Sequence, residues 1–362
     1  MTLLRFGVGL LLGSVAACAV VPHTSPTLVY STYLGGPMTD DCDGIAVDAV
    51  GAMYLACHIY SAEYPDQSFV VIKLAPDGQA IEYNTRVGEG NASFIAVDKD
   101  GSAYVGGWTT APDFPVTQGA FQPSFAGGER DLVVAKLAPN GDVVWSTFLG
   151  GAGDDVPAEV ALDTAGSVYV VGTTDSANFP VTADAFQTRY QGNRDVFVTK
   201  LTASGSAVYS TYLGGSGSEE RLAGIALADD GGAFVVGTTR STDFPLVSPL
   251  QATRRGESDA FVAALDPAGK ALRFSTYLGG SASEVTRHAA VDGQGSLYVA
   301  GRTMSADFPT TPGTLQPTHS GASAVFFVTK LDPSHRTLIY STFVTDTSQT
   351  AKPTDWRAEW GL

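Results

Sequence analysis

Apolar residues in this chain fall into short runs of about seven residues, each closed by glycine, aspartate, asparagine or proline. DVFVTKL at Asp195–Leu201 is representative. The apolar positions are mostly Val, Phe, Tyr and Ile, the β-branched and aromatic residues that suit a pleated surface. Turn sequences such as DKDG (Asp98–Gly101) and APNG (Ala138–Gly141) supply the residues that tight turns require. The stretch AGIALADDGGAFVVGTT from Ala223 predicts one hairpin, a loop containing TDFP follows, and DAFVAALDPAGKALRFSTYLGG predicts a second. Each unit therefore offers four antiparallel strands, A to D in chain order, with runs apolar enough to be covered on both faces.

The units repeat. YSTYLGG occurs at Tyr30–Gly36 and Tyr209–Gly215, with variants WSTFLGG at Trp145, FSTYLGG at Phe274, YSTF at Tyr340 and the degenerate YNTRVGE at Tyr83. Successive spacings are 53, 62, 64, 65 and 66 residues. Four strands with two apolar faces need neighbours on both sides, and face-to-face stacking around an axis supplies them, which predicts an all-β propeller. YSTYLGG, GIAVD, G-x-AYV-x-G, DFP and DAFV-x-KL, recurring in fixed order over about residues 27–343, resemble the SBBP (seven-bladed β-propeller) repeat. That resemblance implies bacterial surface or secreted proteins, usually without a defined activity. The count departs from seven: five complete repeats, plus one extra N-terminal D-type strand at Thr27–Leu34 that could close the ring by joining the last blade, where it would compete with, or add to, the C-terminal TLIYSTF strand.

The first residues, MTLLRFGVGLLLGSVAACAVVP, combine Arg5 with an apolar run too short for a bilayer span. Val15-Ala16-Ala17-Cys18 resembles the bacterial lipobox, so residues 1–17 are expected to be a lipoprotein signal peptide. Cys18 would then carry a lipid, and the chain would sit in the bacterial cell envelope at the outer membrane or surface. Ordinary secretion and an uncleaved anchor are the alternatives. Residues 18–26 follow as a linker, and 344–362 as a tail with Trp356 and Trp360. Cys42 and Cys57 flank the hairpin GIAVDAVGAMYLA. Pairing Val47 with Ala52 sets the two cysteines opposite each other, and an oxidising compartment favours a disulfide.

Net charge narrows the partners. The chain carries −16, and −17 once Arg5 leaves with the leader, which repels phosphate backbones and argues against nucleic acid. The five histidines, His23, His58, His288, His319 and His335, occupy unrelated repeat positions, and no catalytic or zinc motif is present. The expectation is a non-enzymatic scaffold binding protein or glycan, with membrane contact only through the lipid. The rivals are a purely structural envelope protein and a polysaccharide hydrolase or lyase.

If strand A is innermost, the B–C and D–A loops share one face. The B–C loops of units two to five are about 20 residues long, which marks that face as the candidate binding surface. Phe114, Phe179, Phe244 and Phe308, each followed by proline, could stack on sugars there or plug the loops onto their blades; Tyr64-Pro65 is the first unit's counterpart. Asp40, Asp41, Asp43, Asp154, Asp155, Glu219 and Glu220 cluster in D–A segments. Carboxylates suit calcium, but this spacing matches no calcium loop, so no cofactor or metal is assigned and calcium stays the one alternative. Strand A ends in Asp48, Asp98, Asp163 and Asp292 while strand C carries Lys73, Lys136, Lys200 and Lys330; the fourth unit has Ala228 and Ala264 instead. Paired loss is what a salt bridge predicts, because a buried charge without its partner is costly.

Overall fold

The computed structural model describes residues 31–32, 34, 40–60, 67–319, 323–334 and 336–345. The described residues from Leu34 onward belong to one compact unit. The extra strand foreseen at Thr27–Leu34 lies largely outside the described residues, as do Cys18, Tyr64-Pro65 and the tail from 346.

All regular structure among the described residues is β. Blade 1 comprises β1 (Asp40–Val47), β2 (Met53–Ile59), β3 (Ser68–Leu74) and β4 (Ile81–Glu89). Blade 2 comprises β5 (Asn91–Val97), β6 (Ala103–Thr109), β7 (Asp131–Leu137) and β8 (Val143–Leu149). Blade 3 comprises β9 (Asp155–Leu162), β10 (Val168–Thr174), β11 (Asp195–Leu201) and β12 (Ala207–Leu213). Blade 4 comprises β13 (Glu219–Leu227), β14 (Ala233–Thr239), β15 (Asp259–Leu265) and β16 (Leu272–Leu278). Blade 5 comprises β17 (Glu284–Val291), β18 (Leu297–Thr303), β19 (Val325–Asp332) and β20 (Thr337–Val344). Each blade is a four-stranded antiparallel meander. Successive A strands (β1, β5, β9, β13, β17) pack on one another, so A is the inner strand and D the outer.

Burial on both faces explains the near-continuous apolar runs. Each interface buries one face of a blade against the opposite face of the next. Between blades 3 and 4, for example, Val171, Val196 and Val198 meet Ile225, Val235 and Phe261. A fully buried side chain of this size contributes about 1.5–3 kcal/mol, so four such interfaces carry the fold.

Strand A holds a feature the hydrophobic pattern did not reveal. Val47 pairs with Met53, one residue away from the expected Val47–Ala52 register. A β-bulge between Cys42 and Gly44 recovers the offset and leaves Cys42 opposite Cys57, where a disulfide joins them. Comparable irregularities occur in β5, β9, β13 and β17. An extra residue bends the strand, as is needed where inner strands crowd the axis.

Candidate functional site

The long B–C loops do not form an open binding face. Each folds back along the outer edge of strand D in its own blade. Thr182 N donates to Ser210 O at 2.9 Å, and Tyr212 N donates to Gln187 O at 3.0 Å. The same arrangement joins Thr117 to Ser146 and Thr311 to Ser341, while Ser275 N donates to Val247 O at 2.9 Å. The threonine of each S-T pair then takes a loop amide: Gln122 N to Thr147 Oγ1, Gln187 N to Thr211 Oγ1, Gln251 N to Thr276 Oγ1 and Gln316 N to Thr342 Oγ1. An unpaired strand edge is an aggregation template, and here the loop satisfies it.

Phe114, Phe179, Phe244 and Phe308 are accordingly withdrawn from any ligand. Each is only 3% exposed. Phe179 stacks on Phe197 at 4.5 Å and Phe308 lies 4.3 Å from Phe327. The candidate aromatic binding ring is corrected to a set of plugs, because a loop of this length needs an apolar anchor to dock.

The double glycines have a structural task as well. Gly150 N, Gly214 N and Gly279 N donate to the side-chain oxygens of Gln122, Gln187 and Gln251. Gln187 and Gln251 in turn donate to Asp195 and Asp259 at the start of strand C. The second glycines, Gly151 and Gly280, donate to Asp155 and Glu284 at the start of the next strand A. A Cβ on Gly150 would fall 2.5 Å from Asp131 Oδ1, which explains the demand for glycine. The Ser and Asn/Asp that precede Phe-Pro hold the rest of the D–A loop: Ala152 N, Ser216 N and Ser281 N donate to Asn178, Asp243 and Asp307.

The described acidic residues of this set are therefore spread over separate contacts. Asp155 is fully buried in this network, and Asp154 pairs with Arg130 at 2.7 Å. Asp41 and Asp43 are exposed on β1, with Asp43 3.8 Å from His58 Nδ1, and Asp40 is half-buried. The side chains of Glu219 and Glu220 lie outside the described residues. Among the described residues no group of three or more His, Cys, Asp or Glu could hold a metal. Burial pushes Asp131 up to about 7, with the neighbouring Asp155 adding to the rise. Burial likewise raises Asp155 and Asp195 to about 6, and Glu284 to about 7. Values in this range would suit a general acid. All four carboxyls are nonetheless wholly closed to solvent, where no substrate reaches them.

The charge pairs occupy the opposite face, in the A–B turns. Lys136 lies 3.6 Å from Asp98, Lys200 3.3 Å from Asp163 and Lys330 2.8 Å from Asp292. In blade 1 the expected Asp48–Lys73 bridge is replaced: Lys73 pairs with Glu82 at 2.9 Å. The other blades carry Val144, Val208, Arg273 and Ile339 at the Glu82 position, so only blade 1 offers lysine this closer carboxylate. Each strand-A aspartate also caps its own turn. Asp163 Oδ1, for instance, accepts from Ala165 N and Ser167 N at 3.0 and 2.8 Å. Burial would raise the Asp163 carboxyl, but the Ser167 amide and Lys200 together hold it below its ordinary value.

A tyrosine completes each cluster, and the sequence pattern had not singled it out. Tyr54, Tyr104 and Tyr169 reach the turn carbonyls of the following blade, Gly101, Gly166 and Gly231, at 3.2, 2.9 and 2.9 Å. Lys136 Nζ donates to Tyr104 Oη at 2.7 Å. Blade 4 replaces Asp, Tyr and Lys together by Ala228, Phe234 and Ala264. Reading strand B in register would have exposed this third member. A cleft of about 340 Å³ opens here between blades 2 and 3, lined by Asp98, Tyr104, Lys136, Asp163 and Gly166. Burial raises Tyr104 above its ordinary value, so the Tyr–Lys contact supplies a neutral donor and no phenolate base.

Five antiparallel four-stranded sheets stacked in chain order define a β-propeller. The chain carries the SBBP beta-propeller repeat, whose family model matches residues 144–180, from strand D of blade 2 to the Phe-Pro of blade 3. No curated protein matches the sequence. Among solved structures, hydrazine synthase of Kuenenia stuttgartiensis is similar at 12% identity and a TM-score of 0.45. That match covers 83% of this chain and 65% of that one. A protein of unknown function from Dyadobacter fermentans is similar at 11% identity and 0.45, over 84% and 83% of the two chains. Virginiamycin B lyase from Staphylococcus aureus is similar at 9% and 0.38, over 85% of each. These likenesses do not bear on what this chain does.

Proposed function

We propose that the chain is a non-enzymatic propeller scaffold of the bacterial cell envelope, tethered through a lipid on Cys18 and meeting protein or glycan partners at its surface. One observation carries this reading: the repeated polar residues are spent on one another. The S-T pairs and glutamines bind the long loops, the carboxylates bind the double glycines, and the Asp–Tyr–Lys clusters bind neighbouring turns. What remains for recognition is the non-repeating exposed side chains. The Cys42–Cys57 disulfide suits an exported chain, since oxidising compartments preserve such bonds.

The test has two arms. Fractionation of cells producing the wild-type chain and a Cys18→Ala variant should place the former with membranes and release the latter; retention of the variant would remove the lipid anchor from the reading. Purified protein should turn over no polysaccharide in a substrate panel. Hydrolysis or elimination abolished by replacing one carboxylate would overturn the scaffold role.

A further inference from the structure

Among the described residues, blades 1 and 5 each have a face that no other blade covers. No strand of blade 5 packs against blade 1 as the consecutive blades do, among the described residues. Phe326 is 54% exposed, whereas its repeat equivalents Leu132, Val196 and Ala260 are all at 0%. Val344 is 38% exposed against 0–4% for Leu149, Leu213 and Leu278. Leu315 is 86% exposed, while at the same loop position Phe121 and Phe186 pack into the interfaces with blades 3 and 4 and Leu250 is 38% exposed. On blade 1, Ile45 is 64% exposed where Ile95 and Ile225 are 8% and 4%. Val47 is 59% exposed, and its equivalents Val97 and Leu227 pack against the preceding blade. Val50, 75% exposed at a turn position that holds Asp100 and Asp230 in blades 2 and 4, extends the same rim. The outer part of the blade 1 face (Cys57, Val70, Ile72 and Leu74) is already buried, with Leu34 against it, so the open surface is the rim along β1.

We propose that these two faces bind each other between copies: blade 5 of one chain seats on the β1 rim of blade 1 of a second copy, head to tail. Four interfaces inside the chain already join these two kinds of face through the same repeat positions. The surface that fits blade 5 is therefore a blade 1-type face, of which the chain leaves the β1 rim exposed. Tyr298 takes part as its equivalents do. Its hydroxyl contacts Asp292 at 3.1 Å, as those of Tyr54 and Tyr169 contact Asp48 and Asp163, but Tyr54, Tyr104 and Tyr169 also reach the turn glycine carbonyl of the following blade. The corresponding acceptor is Gly51 O of the second copy. Contacts between two different patches generate a closed ring or an open string, and both are head-to-tail assemblies. The inference is independent of the envelope reading, because it concerns the propeller alone.

Sedimentation velocity on the full-length chain tests it, using Phe326→Asp for the blade 5 face and Val47→Asp for the blade 1 face. Val144→Asp, at a 51% exposed valine of blade 2, serves as the control. The wild type and the control should exceed the single-chain mass as concentration rises. Each face variant alone should sediment as a single chain. A one-to-one mixture of the two should form a pair, because each keeps the face that the other lacks. If either variant misfolds by circular dichroism, Leu315→Asp or Ile45→Asp replaces it. A wild type that stays at single-chain mass up to its solubility limit overturns the proposal. So does unchanged association of both face variants, or failure of the mixture to pair.

Discussion

Blade 4 is a natural experiment on the Asp–Tyr–Lys cluster, and blade 3 allows it to be repeated. Lys200 is 9% exposed, and its ammonium lies 3.3 Å from Asp163 and 4.5 Å from the Tyr169 ring centre. Asp163→Ala removes that counter-charge and the oxygen that accepts from two turn amides, leaving a buried ammonium; the expected cost is about 3 kcal/mol. Lys200→Ala leaves the carboxylate with its amides and should cost about 2 kcal/mol. Tyr169→Phe loses the bond to Gly231 O, at about 1 kcal/mol. If the three residues acted separately, the triple variant would lose about 6 kcal/mol. It recreates the Ala, Phe, Ala set of blade 4, in which no charge is stranded, so the expected loss is about 3–4 kcal/mol. Urea denaturation of the singles, doubles and triple, followed by tryptophan fluorescence, measures the coupling. Additivity within about 0.5 kcal/mol would refute the view that these groups form one unit.

Phe179→Ala should cost about 3–5 kcal/mol and free the blade 3 B–C loop, seen as faster amide exchange at Thr182 and Gln187, whereas a binding-face role would leave stability unchanged. Replacing Cys42 and Cys57 together by alanine opens a loop with a sequence separation of 15 and should destabilise blade 1 by about 3 kcal/mol in thermal melts; an unaltered melt would show that the packing there does not need the covalent link. The buried acids set a pH dependence: Asp131, Asp155, Asp195 and Glu284 have folded-state values above their ordinary ones, so the native chain binds more protons than the unfolded chain between about pH 4 and 7. Their contribution to stability is therefore largest at the acid end of that window and falls as pH rises through it. The melting temperature should be higher at pH 5 than at 7.5, and Asp131→Asn should flatten the slope; a melting temperature rising steadily over this range would contradict the assignment.

The alternation of apolar runs and turns determined the architecture, because four strands with two apolar faces have few ways to bury both. Repetition also made the charge pairs legible, since Ala228 and Ala264 vary together in one unit. Register was less accessible: the bulge between Cys42 and Gly44 has no compositional mark, and a one-residue slip is invisible until the partner strand is in place. The fate of the Phe-Pro loops was open for the same reason. Their length is equally consistent with an exposed face, and only the unsatisfied edge of strand D, which exists in three dimensions, draws them down. Glu82 could displace Asp48 as the partner of Lys73 only once β3 and β4 were paired. The exposed rim of blade 1 and the exposed face of blade 5 emerge last of all. Ile45 and Phe326 look like any other core position in the repeat, and what distinguishes them is which blades the stacking leaves without a neighbour.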